Sequence, residues 1–271
     1  MTKKNETTPA REAAVFNQEK TVKAWDDDYY HPVAVAYYDA AIPDMLKDMG
    51  LAPGDRVLDA GCGPGVHSIR AAAYGCDVTA IDISSTMLKH AEGRAQAAGL
   101  SDRIDFRQGD ITKPDLGETF DCVFSWGVII HVPDTQAALD GLTSLVAPGG
   151  KLALQVLNAG SFDYRVESAL RRLLRKPFKE PVDTDLGPGN WFELGSERLW
   201  VLRFDMPALD KAMQQRGFKL LSRRTAEFSE LQRRLPDVLR RPLLHLNSIL
   251  FRRRTATGSA ATQIILYQRE T

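Results

Sequence analysis

The sequence predicts an α/β fold that is built on a doubly wound, mostly parallel β-sheet. Between residues 50 and 158, short apolar runs of strand length alternate with helical patterns of roughly 10–15 residues. A glycine-rich turn follows the first of these runs, and an Asp stands at the end of each of the next two. Alternation of this kind produces right-handed βαβ units, whose crossover helices pack on both faces of a parallel sheet.

The strands of the alternating region are recognised by short apolar runs that end at Gly, Pro, Asp or Ser. They are expected at Arg56–Ala60, Asp77–Asp82, Ile104–Arg107, Phe120–Ser125 and Lys151–Leu157.

The helices are recognised by their start and stop signals. The first is expected from about Pro32 to Met49, because Gly and Pro follow it directly. The second follows the glycine-rich turn as far as about Tyr74. Ser84 or Ser85 is expected to cap the third, and another helix follows Pro133-Asp134.

After Asn158 the regular alternation stops. Residues 159–205 are rich in Arg, Gly and aromatic side chains, and they contain one amphipathic helical stretch. The remaining elements are a helix from Pro207 to Arg216, a strand from Phe218 to about Arg223, a basic amphipathic insert at about 229–254 and a last strand from Ala261 to Gln268.

The composition is that of a folded globular protein. The chain has 271 residues, of which 44% are hydrophobic and 26% charged, and 35 Lys and Arg balance 35 Asp and Glu. These values exclude a disordered chain, a collagen-like chain and a disulfide-stapled miniprotein. The length suits one large domain, or one domain with a lid.

Three features bear on cellular location. No apolar run approaches the roughly 20 residues that span a bilayer, and residues 1–6 lead into polar sequence instead of the apolar run of a signal peptide. The three cysteines are odd in number and match no zinc spacing. We therefore expect reduced thiols in a cytoplasmic protein without a metal site.

The most informative motif is V-L-D-A-G-C-G-P-G at residues 57–65. Its glycines allow a tight turn after the first strand and let a ligand lie against bare backbone. The spacing is G-x-G-x-G instead of the G-x-G-x-x-G of dinucleotide-binding turns, and Pro64 removes an amide donor. Asp59 would repel a phosphate but suits an ammonium group. The motif therefore indicates a cationic, nucleoside-like ligand.

Two further carboxylates stand at the ends of the following strands. Asp82 ends the second strand, where a carboxylate can accept hydrogen bonds from both hydroxyls of a ribose. Asp110 ends the third strand and can accept a hydrogen bond from the exocyclic amine of adenine. Apolar Ile83 and Met87 can cover the faces of that ring.

These motifs resemble those of the class I S-adenosylmethionine-dependent methyltransferases, in particular the small-molecule group called type 11. The resemblance covers residues 50–157, and it also rests on A-I-D-I-S (80–84), Q-G-D-I (108–111), F-D-C-V-F-S-W-G (120–127) and L-V-A-P-G-G-K-L (145–152). It implies a Rossmann-like sheet of seven strands with an antiparallel last strand, for which Ala261–Gln268 is suited.

The resemblance also implies the cofactor, S-adenosyl-L-methionine, and its contacts. Position by position, they are Asp59, Gly61, Gly63 and Gly65 at the methionine part, Asp82 at the ribose, and Asp110 with Ile111 at the adenine. The expected organisation is N-terminal helices that cover the site (1–49), a cofactor-binding core (50–158), a helical lid insertion (159–205) and the C-terminal part of the sheet (206–271).

The reaction that this resemblance implies is an in-line displacement, in which the protein aligns donor and acceptor and excludes water. A hydroxyl acceptor also needs a base. His131 lies just beyond the fourth strand, where the acceptor is expected, and the ordinary histidine pKa of about 6.5 suits a base. His131 is therefore the candidate catalytic base, and bracing of its loop is the alternative. Ser125 and Trp126 are expected to line the site.

Several related chemistries are excluded by missing motifs. Residues 125–128 are not the Asp/Asn-Pro-Pro-Tyr/Phe run of enzymes that methylate adenine or cytosine amines. Cys122 is not part of the Pro-Cys pair of cytosine-C5 enzymes, and no Asp/Asn cluster suggests the magnesium of catechol methyltransferases.

Aromatic residues are candidates for the acceptor wall. Tyr29 and Tyr30 either close over the cofactor and acceptor or belong to the packing face of a helix. Trp191 either faces the acceptor from the lid or packs within the lid. Arg198 and Arg203 are candidates for an acceptor carboxylate or phosphate.

Three classes of acceptor remain open from the sequence. The first is an oxygen or nitrogen of a small molecule enclosed by the lid. The second is tRNA, because the layout after Leu157 resembles bacterial enzymes that esterify a carboxymethoxyuridine, and because a basic helix could track phosphates with Arg171, Arg172, Arg175 and Lys176.

The third is a lipid-linked acceptor at an anionic membrane, which the basic amphipathic insert at 229–254 could contact. Residues 159–254 hold 20 Lys and Arg against 12 Asp and Glu, whereas the rest of the chain holds 15 against 23. The net charge of zero is thus the sum of a basic segment, residues 159–254, and an acidic remainder. The basic segment keeps tRNA and an anionic membrane open as partners. No sequence signal indicates an oligomeric state.

Overall fold

Seven β-strands form the central sheet of the protein. The computed structural model describes residues 14–32, 34–176, 178, 180–194, 197–230 and 235–271. The strands of the central sheet are β1 (Arg56–Ala60), β2 (Asp77–Asp82), β3 (Ile104–Gln108), β4 (Phe120–Trp126), β5 (Val146–Leu157), β9 (Phe218–Glu227) and β10 (Thr262–Arg269). Between β5 and β9 the chain forms a smaller sheet of β6 (Pro181–Thr184), β7 (Gly187–Leu194) and β8 (Glu197–Leu202).

Eight helices of the described part surround these sheets. They are α1 (Glu19–Tyr29), α2 (Val35–Asp48), α3 (Val66–Tyr74), α4 (Ser85–Ala97), α5 (Thr135–Ser144), α6 (Phe162–Leu173), α7 (Met206–Gln215) and α8 (Asp237–Arg252). Side-chain caps start several of them: Ser84, and not Ser85, accepts a hydrogen bond from the amide of Met87.

The strand order of the central sheet is β3-β2-β1-β4-β5-β10-β9. Strands β1 to β5 are parallel, and β10 runs antiparallel to both β5 and β9. The chain therefore winds outward from β1 in both directions and closes with a reversed last strand. The predicted doubly wound, mostly parallel sheet with an antiparallel last strand is confirmed.

The inner strands of the sheet are buried on both faces, which explains why β4 is almost continuously apolar, whereas the edge strands β3 and β9 carry exposed residues. Successive side chains of a strand point to opposite faces, so Phe124 packs in one core cluster while its neighbour Val123 packs in the other. The first cluster contains residues of α2, α3 and α8, and the second contains residues of α5 and α7.

Two strands differ from their predicted bounds by more than one residue. β5 begins at Val146 instead of Lys151, because Val146 already pairs with Phe120 and a register shift accommodates the intervening Pro and Gly residues. β9 continues past Arg223 to Glu227, because its pairing with β10 extends to that residue.

The insertion after β5 is helical only in part. It consists of α6 and the antiparallel sheet β6-β7-β8. Gly187 has a φ of +133°, and a side chain at Gly189 would meet the indole of Trp200. These positions favour glycine in an extended hairpin, which the helical expectation did not include.

The two basic amphipathic helices differ in what covers them. α8 packs on β9 and α2, and it buries Arg240, Leu244, Asn247 and Phe251. Residues 231–234 of the predicted basic insert lie outside the described residues, as do residues 1–13 of the N-terminal segment. Against the described part of the chain, α6 buries none of its residues. In that part no helix is long and apolar enough to cross a bilayer.

Candidate functional site

A cavity of about 840 Å³, a volume that includes open solvent at its mouth, lies at the carboxyl ends of the parallel strands. This is the edge at which open α/β sheets bind their ligands. One half of the lining comes from the glycine turn and the ends of β2 and β3, with Gly61, Gly63, Asp82, Ile83, Met87, Asp110 and Ile111. The other half is mostly aromatic and apolar, with Phe16, Trp25, Tyr29, His67, Trp126, Val128, His131 and Val132.

The glycine turn after β1 forms one wall of the cavity. Gly61 has a φ of +88°, and a Cβ there would lie 2.4 Å from Cγ1 of Val128. Gly63 has a φ of +51°, and a Cβ there would meet no atom within 4 Å. Because Gly63 also lines the cavity, the space beside it is available for a ligand that lies against bare backbone. Gly65 is turned away from the cavity and packs closely on Ala91.

Asp82 links this turn to the end of β2. Its two carboxylate oxygens accept hydrogen bonds from the amides of Gly63 and Ser84, each at 2.8 Å. Burial raises the pKa of Asp82 to about 6, and the hydrogen bonds from backbone amides oppose that rise. The carboxylate is thus held at the cavity wall, where it can accept hydrogen bonds from ligand hydroxyls.

Asp59 lies beneath the glycine turn and does not line the cavity that the described residues form. Its carboxylate is 1% exposed and accepts a hydrogen bond of 2.6 Å from the hydroxyl of Ser68. Burial, with a smaller contribution from the charge of Asp82, raises the pKa of Asp59 to about 7. The structure therefore places its side chain under the turn instead of on the cavity wall.

The predicted adenine-binding residues lie together at the other side of Asp82. Ile83, Met87, Asp110 and Ile111 all line the cavity. Oδ1 of Asp110 accepts hydrogen bonds from the amide and the hydroxyl of Thr112, both at 2.8 Å. This turn fixes a half-buried carboxylate between apolar side chains, an arrangement suited to a flat ring with an amine.

Ser125 does not reach the cavity formed by the described residues. Its side chain is 1% exposed, and its hydroxyl donates a hydrogen bond of 2.8 Å to the carbonyl of Ala60 on β1. Ser125 therefore joins β4 to β1 instead of lining the cavity, as had been expected.

His131 lines the aromatic half of the cavity at the end of the 3₁₀ turn Ile129–His131. Its Nδ1 lies 2.9 Å from the carbonyl oxygen of Trp200, which can only accept. Nδ1 therefore carries the proton, and in the neutral ring the basic lone pair is on Nε2. The rings of Trp25 and Phe16 lie 5.9 and 6.2 Å from the imidazole, centroid to centroid.

Of the predicted acceptor-wall residues, two line the cavity and two lie elsewhere. Tyr29 and Trp126 line the cavity. Tyr30 is 38% exposed and lies near the guanidinium groups of Arg70 and Arg94. Trp191 lies on β7 and packs on Trp200, with ring centroids 5.2 Å apart. Neither Tyr30 nor Trp191 lines the cavity that the described residues enclose.

Arg198 and Arg203, the candidates for an acceptor carboxylate or phosphate, are engaged elsewhere. Arg198 pairs with Glu180 and stacks on Trp191. Arg203 lies over the ring of Tyr164, and its Nη2 is 3.4 Å from Glu230. Within the described ranges, His, Cys, Asp and Glu form no group that could hold a metal ion.

His67 is a cavity residue that the sequence did not single out. It is the second residue of α3, directly after the glycine turn. A histidine at this point of the chain was the available signal, because the first turn of the helix after such a loop faces the ligand.

Comparison with known proteins agrees with this geometry. Residues 57–150 match a family model described as a methyltransferase domain. The ubiquinone biosynthesis O-methyltransferase of Psychrobacter cryohalolentis is 37% identical over 131 residues, which are 47% of this chain and 50% of that protein. The chain thus spans about half the length of the curated relatives that it matches.

Solved structures resemble the chain over almost its whole length. The magnesium protoporphyrin IX methyltransferase of Synechocystis, with bound S-adenosylhomocysteine, has a TM-score of 0.64 and 20% identity and covers 95% of this chain and 98% of its own. The [4+2]-cyclase SpnF has a TM-score of 0.55 and 16% identity and covers 86% of this chain and 81% of its own. At such identities the likeness shows the fold alone.

The matched segment, residues 57–150, contains the glycine turn, Asp82, Asp110 and His131. The type 11 subgroup stays a prediction. The chain therefore contains a methyltransferase domain at residues 57–150, and its fold is the Rossmann-like fold of solved S-adenosylmethionine-dependent methyltransferases.

Proposed function

We propose that the protein transfers the methyl group of S-adenosyl-L-methionine to an oxygen or nitrogen of a small-molecule acceptor. The observation that carries the proposal is the division of the cavity into two halves. A glycine turn and two carboxylates line one half, and aromatic side chains with two histidines line the other. The first half suits a cationic nucleoside, and the second suits an acceptor.

The cofactor residues are proposed from their positions in the first half. Asp82 would hold the ribose hydroxyls, Asp110 and Ile111 the adenine, and Gly61 and Gly63 the methionine part. The fit rests on the open space at Gly63 and on the carboxylate acceptors at the ends of β2 and β3. When bound, the cofactor supplies an electrophilic methyl group on a sulfonium.

His131 is proposed as the base for a hydroxyl acceptor. The carbonyl of Trp200 holds Nδ1–H, so the ring keeps one orientation and one tautomer. Nε2 can then take the proton of a hydroxyl group as the oxygen is methylated. For an acceptor that needs no base, the same residue would only position the loop. Trp126, Tyr29 and Trp25 would exclude water from the reacting atoms.

The experiment that tests this proposal follows the methyl group. The purified protein is incubated with S-adenosylmethionine labelled in its methyl group and, in separate reactions, with a metabolite extract, bulk tRNA or extracted lipids. We expect label in the metabolite fraction and none in tRNA. Asp82→Asn should abolish most of the transfer, while Asp102→Asn, an exposed residue away from the cavity, should leave it unchanged. Label in tRNA alone would contradict a small-molecule acceptor.

A second candidate, a lipid-linked acceptor at a membrane surface, is favoured by α6. Its apolar side chains are exposed on one face, and arginines flank them. The exposed side chains are Phe162, Val166, Leu170, Leu173 and, just past the helix, Leu174. Such a helix suits an anionic bilayer, which accepts both leucines and arginines.

The tRNA alternative draws on the same helix, but its apolar face fits that partner less well. Arg171 is paired with Glu167 and stacks on Phe178, which reduces its availability to phosphates. Binding to vesicles with and without anionic lipid, measured beside binding to tRNA at low salt, separates the two partners. The cytoplasmic location is also a proposal, consistent with three buried, unbridged cysteines.

A further inference from the structure

His67 is a buried histidine without a hydrogen-bond partner among the described residues. Its side chain is 6% exposed, and both Nδ1 and Nε2 are inaccessible and unbonded in that part of the structure. Buried polar groups in folded proteins nearly always have a partner, because water is lost when they are buried. A ring with two orphan nitrogens beside a ligand cavity therefore points to a ligand that supplies the partner.

Three aromatic rings, which we call the aromatic box, enclose His67. They are Trp126, Tyr29 and Tyr38, with ring centroids 4.8, 5.0 and 5.8 Å from the imidazole. Tyr38 is itself held by a hydrogen bond from its hydroxyl to Glu227. The box fixes the plane of the imidazole, and Trp126 and Tyr29 also face the cavity.

The environment keeps the imidazole neutral. Burial, and then the positive charge of Arg70 one turn along α3, lower the pKa of His67 well below that of an ordinary histidine. The guanidinium of Arg70 is already bonded to Asp39 and to the carbonyl of Val66. A neutral imidazole offers one N–H donor and one nitrogen acceptor, and a hydroxyl group can bond to either of them.

Among the described lining residues, those around His67 include no Lys, Arg, Asp or Glu. Asp82 and Asp110 are the acidic residues among the lining residues of the described chain, and neither Lys nor Arg is among them. Both carboxylates lie in the half assigned to the nucleoside. A charged acceptor would therefore be left without a counter-charge, whereas a flat, uncharged one would pack on Trp126 and Tyr29.

We propose that His67 is a hydrogen-bonding residue of the acceptor subsite, where it and the aromatic box select a flat, uncharged acceptor that carries a hydroxyl group. The proposal rests on the proposed function and names the substrate class of the same site. His67 binds the acceptor hydroxyl, and His131, which lines the same cavity, is the proposed base. Specificity and proton transfer are thereby assigned to different histidines.

Calorimetry with catechol as the probe tests this assignment. Catechol is titrated into the protein in the presence of saturating S-adenosylhomocysteine, and S-adenosylhomocysteine is titrated alone. The variants are His67→Leu, which keeps the volume but removes both polar atoms, and His67→Asn, which keeps a donor and an acceptor. His90→Leu is the matched control, because His90 is at the surface and pairs with Glu19.

We expect His67→Leu to weaken catechol binding roughly 5- to 10-fold, the loss of about one hydrogen bond. Binding of S-adenosylhomocysteine should stay within about twofold, and His67→Asn should recover part of the catechol affinity. Because Leu removes two unpaired buried atoms, the ligand-free Tm of His67→Leu should rise by roughly 2–4 °C. This combination of higher Tm and weaker binding distinguishes a ligand contact from a packing role.

Other outcomes overturn the assignment. If His67→Leu weakens S-adenosylhomocysteine and leaves catechol unchanged, His67 belongs to the cofactor. If neither affinity changes, His67 has no ligand role. Binding of S-adenosylhomocysteine without binding of catechol to the unmodified protein rejects the substrate class. Failure of the unmodified protein to bind S-adenosylhomocysteine would reject the proposed function itself, which is a separate result.

Discussion

Replacing Asp59 by Asn should remove a large part of the pH dependence of stability. Asp59 is buried beneath the glycine turn, and burial raises its pKa to about 7. A carboxyl whose pKa is higher in the folded protein binds a proton more tightly there than in the unfolded chain. Its contribution to stability is therefore complete below the unfolded pKa of about 3.9 and is lost as the pH rises through the folded pKa.

The magnitude follows from the two pKa values. At pH 5 the carboxyl is protonated in the folded protein and mostly ionised in the unfolded chain. The interval from pH 5 to the folded pKa is about two pH units. At about 1.36 kcal/mol per unit, the free energy of unfolding falls by roughly 3 kcal/mol across it. At pH 8 the contribution of Asp59 is close to zero. Asp82, whose pKa is raised to about 6, adds a smaller loss in the same direction.

Urea denaturation at pH 5 and pH 8 measures this difference. The unmodified protein should lose stability between the two values, and Asp59→Asn should lose roughly 3 kcal/mol less, because its amide does not titrate. The amide oxygen can still accept the hydrogen bond from Ser68. Asp102→Asn, at the surface, is the control and should behave like the unmodified protein. Equal pH dependence in all three proteins would refute the assigned burial of Asp59.

Three further outcomes follow from the site and the surface. Gly63→Ala should lower Tm only modestly, through the strain of its positive φ, but bind S-adenosylhomocysteine weakly, since its Cβ enters open cavity space. Gly61→Ala should lower Tm further, because its Cβ also meets Val128. Calorimetry and thermal denaturation separate the two variants, and equal effects on both would contradict the assigned wall. His131→Gln should lower kcat for transfer to a hydroxyl acceptor by about 10²–10⁴-fold and leave the affinity for S-adenosylhomocysteine unchanged. An unchanged kcat would mean that His131 only stabilises its loop. Leu173→Glu, at a side chain 77% exposed, should reduce sedimentation with anionic vesicles at unchanged Tm; undiminished sedimentation would exclude α6 as the contact.

The features set by sequence periodicity were predictable. The alternation of strands and helices predicts a doubly wound parallel sheet, and the carboxyl ends of parallel strands must meet at one edge. Asp82 and Asp110 therefore lie along one cavity, as expected from their strand-end positions. The antiparallel direction of β10 was predicted only from the family resemblance, because the direction of a strand is not encoded in its composition.

The features set by side-chain direction and tertiary packing were not predictable. Ser125 and Asp59 lie within a few residues of the cavity, but their side chains bond to Ala60 and Ser68 instead of facing it. Helices α6 and α8 have similar basic amphipathic patterns, yet the described chain covers only α8. Which of two such helices finds a packing surface depends on contacts between distant segments, which periodicity does not report.

The central claim, that the cavity at the carboxyl edge of the sheet binds the cofactor, is tested most directly by titrating S-adenosylhomocysteine into the protein. We predict one binding site, and an affinity that Asp82→Ala lowers by about 10- to 100-fold, the loss of charged hydrogen bonds to the ribose. Asp102→Ala should bind like the unmodified protein. No binding, or equal binding by Asp82→Ala, would contradict the assignment.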